Sequence, residues 1–106
     1  MSTIRDLPIV NKIPSRHPVR AAFAGKSSGT GDASYYETKG HAVNAFDNAL
    51  QDYELCFCRE DCEDLRGDEG WTDLRVCNAY DMVIGYARLS WFRMESGRYE
   101  FTGYLS

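Results

Sequence analysis

Residues 82–105 read MVIGYARLSWFRMESGRYEFTGYL, and this stretch decides the fold. Tyr99, Phe101, Gly103 and Leu105 alternate with Arg98, Glu100, Thr102 and Tyr104, the period of two that gives a strand one apolar face. Ser96-Gly97 is a turn dipeptide in which glycine supplies a positive φ. A two-residue loop there pairs Glu95 with Arg98, Met94 with Tyr99, Arg93 with Glu100 and Phe92 with Phe101. A four-residue loop over 95–98 keeps the same pairing. A three-residue loop slips it by one and sets Phe92 against Glu100. Because such a slip exchanges the faces of a strand, the even loop is expected.

Working back from the hairpin, residues 71–78 read as a third strand with Leu74 and Val76 on one face. Ala79, Tyr80 and Asp81 form the turn into the long strand, so Val76 meets Ile84 and Leu74 meets Tyr86. The long strand also carries Val83, Ala87, Leu89 and Trp91 on its other face. Cover on both sides explains this, with a bulge near Gly85 as the alternative. Residues 39–54 read as a helix. Ala42, Val43, Ala45, Phe46, Ala49, Leu50 and Tyr53 recur at spacings of three and four, and Thr38 is suited to the N-cap. The expected fold is α+β: one amphipathic helix, laid on the Phe92, Met94 and Phe101 face of an antiparallel β-meander. Extra short strands are expected at 19–24, 34–37 or 55–58. Residues 1–18, with Pro8, Pro14 and Pro18, read as an extended arm.

At 106 residues and 43% hydrophobic content the chain makes one domain, 1–106, with a small core. No stretch approaches the roughly 20 apolar residues of a membrane-spanning helix. MSTIRDLPIVNKIP, at the start, has no long apolar run of a secretory signal. No membrane partner is therefore expected, and the expected location is cytoplasmic, with reduced cysteines. The net charge of −4 is unevenly spread. Residues 1–40 hold six basic and three acidic side chains, whereas 41–70 hold two basic and nine acidic ones.

Gly25-Lys26-Ser27 lacks the preceding glycine of a phosphate loop, since Arg20 stands there. Cys56, Cys58, Cys62 and Cys77 could supply four thiolates to zinc, but their spacing lacks paired C-x2-C knuckles and the surrounding acids oppose thiolate formation. No metal and no cofactor are expected. His17 and His41 show no pattern tying them to a cysteine, and no catalytic constellation can be assembled, so an enzyme is not expected. Arg16, Arg20 and Lys26 could contact nucleic acid, although a pI of about 5.1 argues against it. The acidic middle could instead imitate nucleic acid as an inhibitor. The preferred expectation is a small non-enzymatic module that binds a protein partner or a second copy. Its site is an aromatic sheet face of Leu89, Trp91 and Tyr104, turned away from the helix. The competing cover for that face is the arm itself, through Ile4, Leu7, Ile9 and Ile13.

Overall fold

The computed structural model describes residues 13–28 and 35–106. In chain order it holds helix α1 (Pro18–Ala24), helix α2 (Lys39–Gln51), strand β1 (Cys56–Phe57) and a 3-10 turn (Asp61–Asp64). Strands β2 (Glu69–Cys77), β3 (Val83–Arg93) and β4 (Tyr99–Leu105) follow. The four strands form one antiparallel sheet in the order β1-β2-β3-β4, with both helices packed on it. This is the α+β meander that the hydrophobic periods imply.

Helix α2 forms where its apolar stripe lies. The Thr38 hydroxyl accepts the His41 N–H at 3.1 Å, and Ala42, Phe46, Ala49 and Leu50 are buried. Residues 19–24, expected as a strand, are the second helix. Pro18 occupies its first turn, and the His17 Nδ1 accepts the Val19 N–H at 3.1 Å. Val19 and Phe23, four apart, are both fully buried. That spacing, bracketed by Pro18 and Gly25, was the overlooked helical signal. Of the other extra strands, residues 55–58 yield β1, while 35–37 contribute a single bridge, Tyr36 to Tyr99. Most of the arm, residues 1–12, lies outside the described residues. The remainder is not extended throughout: Ile13 is buried, a turn joins Pro14 to His17, and Pro18 already belongs to α1.

The central strand sits one residue away from the expected register on both sides. The 79–81 turn is as expected: Asn78 N–H reaches Met82 O at 3.0 Å, and Cys77 pairs with Val83. One step on, Val76 pairs with Gly85, so Ile84 is the extra residue of a bulge and turns into the core, 7% exposed. From there Leu74 faces Ala87 rather than Tyr86. At the other end Met94 N–H reaches Arg98 O at 2.8 Å and Gly97 N–H reaches Met94 O at 2.9 Å. The loop is therefore the three residues Glu95, Ser96 and Gly97, with Gly97 at φ +90°. Phe92 pairs with Glu100 and Trp91 with Phe101, which overturns the expected Phe92–Phe101 register. The reason is burial. The odd register puts Ala87, Leu89 and Trp91 inside with Phe101, Gly103 and Leu105, all buried. The even register would have buried Arg88 and Ser90 with Phe92, at the cost of desolvating a guanidinium and a hydroxyl.

The core is therefore aromatic and meets the helices at β4. Phe23 and Phe46 pack with ring centroids 4.8 Å apart, and Trp91 stacks on Phe101 at 6.1 Å. Gly103 leaves the room they need: a Cβ there would come within 2.7 Å of Phe46 and 2.8 Å of Leu89. The outer edge of β4 is closed by Ser27, Ser28 and Tyr36. The Ser28 hydroxyl accepts Phe101 N–H at 2.7 Å, and the Ser27 hydroxyl accepts Gly103 N–H at 3.0 Å. Residues 27 and 28 thus serve as an edge cover for β4.

Candidate functional site

The face of the sheet opposite the helices presents Trp71 and Asp73 from β2, Tyr86, Arg88 and Phe92 from β3, and Tyr104 from β4. Neither α1 nor α2 lies over it, and the 3-10 turn covers it only at Arg75, opposite Tyr86. Trp71 is 60% exposed, Phe92 53% and Tyr104 50%. Trp71 stands opposite Ser90, one diagonal step from Phe92, while Arg88 lies between Asp73 on one side and Tyr104 on the other. Trp71 and Phe92 are thus diagonal neighbours, with Tyr104 beyond Arg88 on the next strand.

Arg88 organises the middle of that face. Its guanidinium carbon sits 4.0 Å from the Trp71 ring centroid, a cation–π contact. Its Nε and Nη2 donate to the two Asp73 carboxylate oxygens at 2.8 and 2.9 Å. These bonds hold the Asp73 carboxyl below the usual carboxylate range and raise the guanidinium in turn. Phe92 is flanked by Glu69 on β2 and Glu100 on β4. Arg88 offsets Asp73, and Arg75, opposite Tyr86 on the same face, is paired with Asp61, so the acids flanking Phe92, Glu69 and Glu100, make that end of the face acidic.

At the β1 end of the sheet lies a cleft of about 390 Å³ lined by Cys56, Cys58, Cys77 and Arg75 among others. Phe57, at 5% exposure, points into the core, so Cys56 and Cys58 on either side of it point out. Arg75 is itself buried. Its Nε and Nη2 donate to Asp61 at 2.9 and 3.0 Å, its backbone N–H reaches Asp61 at 2.7 Å, and Nη2 also donates to Cys58 Sγ at 3.0 Å. The 3-10 turn exists at this point because it carries Asp61 over Arg75. Cys62 leaves this group and lines a second cleft with Asp47 and Cys56. Burial pushes the Cys56 and Cys77 thiols up, and takes Cys62 up to about 11 with Asp47 adding to the shift. Among the described residues no group of three or more His, Cys, Asp or Glu side chains is arranged to hold a metal ion.

The expected interaction residues are split. Leu89 is fully buried and Trp91 is 5% exposed, both under the helices, so neither can meet a partner. Tyr104 alone stays on the open face. The one-residue shift of β3 causes this, since it exchanges the faces of the whole strand. Trp71, Phe92 and Arg88 take their place, and the signal was the pattern Trp71, Asp73, Arg88, Phe92 at even steps on neighbouring strands. Of the three basic residues considered for nucleic acid, Arg20 is engaged within the fold. Arg20 donates to Leu105 O at 2.6 Å, Ile13 O at 2.8 Å and Pro14 O at 3.0 Å, tying α1 to the end of β4. Arg16 and Lys26 are exposed. In the acidic segment, Asp61 is spent on Arg75, and Asp47 accepts Phe57 N–H at 3.0 Å. No helix among the described residues is long and apolar enough to cross a membrane. Neither the family models, nor the curated proteins, nor the solved structures include a match to this chain.

Proposed function

We propose that the chain is a small non-enzymatic module that binds a protein partner through the open face of its sheet. The observation behind this is that Trp71, Phe92 and Tyr104 on one sheet face are each at least half exposed, with Arg88 braced between Trp71 and Asp73. Trp, Tyr and Arg are the side chains that dominate interface energetics, and a braced Arg–Trp pair loses little freedom on docking. The acidic end of the face chooses among partners. A nucleic-acid backbone and a second copy of the same face would both meet like charge at Glu69 and Glu100. A protein surface with an apolar centre and basic edge complements it. Such a module is expected to act in the cytoplasm, where thiols stay reduced.

The test is capture from the native host by the wild-type chain and by a Trp71→Ala, Phe92→Ala variant. Captured proteins are then cross-linked from a photoreactive residue at position 92. A single protein cross-linked through a Lys/Arg-edged apolar patch, and lost with the variant, is the expected result. Concentration-dependent dimers in sedimentation would make the second copy the occupant instead. Removal of residues 1–12 that leaves Trp71 solvent-quenchable to the same degree excludes that segment as the cover. A rise in quenching would identify it as the cover and sink the proposal.

A further inference from the structure

We infer that Cys56 and Cys77 form an oxidisable pair, closed to a disulfide by a hydroperoxide. The two residues stand directly opposite each other on β1 and β2. Opposed residues of an antiparallel pair hold their Cα atoms about 4.5–5.5 Å apart with side chains on one face. A disulfide spans Cα separations of about 4.4–6.8 Å, so the ladder itself supplies the geometry. Both thiols are free, and both line the same cleft.

The other sulfurs are worse partners. Cys58 lies two residues along the strand from Cys56, about 6.6 Å between Cα atoms, at the far limit of the range. Its sulfur is also engaged by Arg75 Nη2 at 3.0 Å. Cys62 shares the cleft beside α2 with Cys56, but it sits on the 3-10 turn rather than on a paired strand, and its Sγ turns toward the Cys58 carbonyl at 3.6 Å.

The step balances as follows in atoms and electrons. One thiol gives up its proton and its sulfur attacks the O–O bond of the hydroperoxide. That forms a sulfenic acid and releases an alcohol, or water when the oxidant is hydrogen peroxide, once the leaving oxygen takes up a proton. The second sulfur then attacks the first, its proton and the hydroxyl departing as water. Two thiols are oxidised, the peroxide is reduced, and one S–S bond is made. Because burial raises both thiols, the rate climbs as pH rises and the thiolate fraction grows. The product staples β1, only two residues long, to β2 across the segment that carries Asp61. None of this depends on what the aromatic face binds.

The experiment treats the reduced full chain with hydrogen peroxide, blocks remaining thiols, and digests without reductant. Chymotrypsin is suited because it cuts after Phe57 and so separates Cys56 from Cys58. The expected outcome is a linked peptide pair containing Cys56 and Cys77, with two of the four thiols lost. A Tm raised by about 5 °C or more, and returned by reductant, should accompany it. Cys56→Ser and Cys77→Ser should each remove the link, and Cys62→Ser should keep it. A link to Cys58 or Cys62, a disulfide between two chains, or four thiols still free after oxidation would each overturn the inference. Should a serine variant fail to fold, the mapping on the wild-type chain still decides.

Discussion

Asp61 is 1% exposed and Arg75 4%, and the pair holds three hydrogen bonds of 2.7–3.0 Å. The hydrogen bonding to Asp61 is the main reason the guanidinium is held in its charged form. Replacing Asp61 with Asn keeps the shape but leaves the buried cation with the exposed Glu60 carboxylate, 3.5 Å away, as its counter-charge, at about 3–5 kcal/mol. A urea melt checks this, and an unchanged midpoint would mean that water reaches the guanidinium. Replacing both partners with apolar residues should recover only part of the loss, because the charge is gone but the backbone N–H of residue 75 loses the acceptor it holds at 2.7 Å. Gly103 is the second sensitive residue. An alanine methyl would meet Phe46, Leu89 and Phe23 at 2.7–2.9 Å, closer than real contacts allow. Gly103→Ala should cost about 1–3 kcal/mol by overpacking, read as a lower midpoint in the same melt. Neither residue was legible as special. Asp61 looked like one acid in an acidic run, and Gly103 like one more position on an alternating strand.

Strand β3 shows what alternation can and cannot decide. Its residues alternate, and so do those of β4, but two period-two patterns can be matched in two ways. The choice lies in the loop and in a bulge. The 95–97 loop has an odd number of residues with Gly97 at φ +90°, and Ile84 is inserted opposite the Val76–Cys77 step. The resulting register predicts opposite fates for two phenylalanines. Phe101→Ala, at 0% exposure, should destabilise by about 3–5 kcal/mol. Phe92→Ala, at 53%, should stay within about 0.5 kcal/mol of wild type. Thermal or urea melts of the two would expose a wrong register at once. The helices divide in the same way. Helix α2 was legible from 13 residues of unbroken stripe and a threonine cap. Helix α1 has only seven residues, too few for a period to separate helix from strand.

Across the whole molecule, both helices and Ile13 belong to one core, and the opposite side of the sheet is left to Trp71, Arg88, Phe92 and Tyr104. A large residue should therefore answer in stability or in binding, according to its side. Phe46→Ala should lower stability by about 3–5 kcal/mol, since its ring contacts Phe23, Phe101 and Tyr36. Trp71→Ala should leave the melt nearly unchanged while removing partner capture. A Trp71 variant that unfolds would show that the open face is part of the core.

From its sequence alone the chain determined its class, its long helix, its β2–β3–β4 meander and the three-residue 79–81 turn. Each is a local property: a hydrophobic period, a capping threonine, a glycine in a turn. Only the tertiary structure decided which face of β3 points inward, and with it the fate of Leu89, Trp91 and Phe92. That choice depends on the total apolar area buried once β2, β4 and both helices compete for the same strand. The pairing of Cys56 with Cys77, and of Asp61 with Arg75, was likewise settled by tertiary structure. Residues 21 and 14 positions apart meet only after β1 and the 3-10 turn fold back on β2.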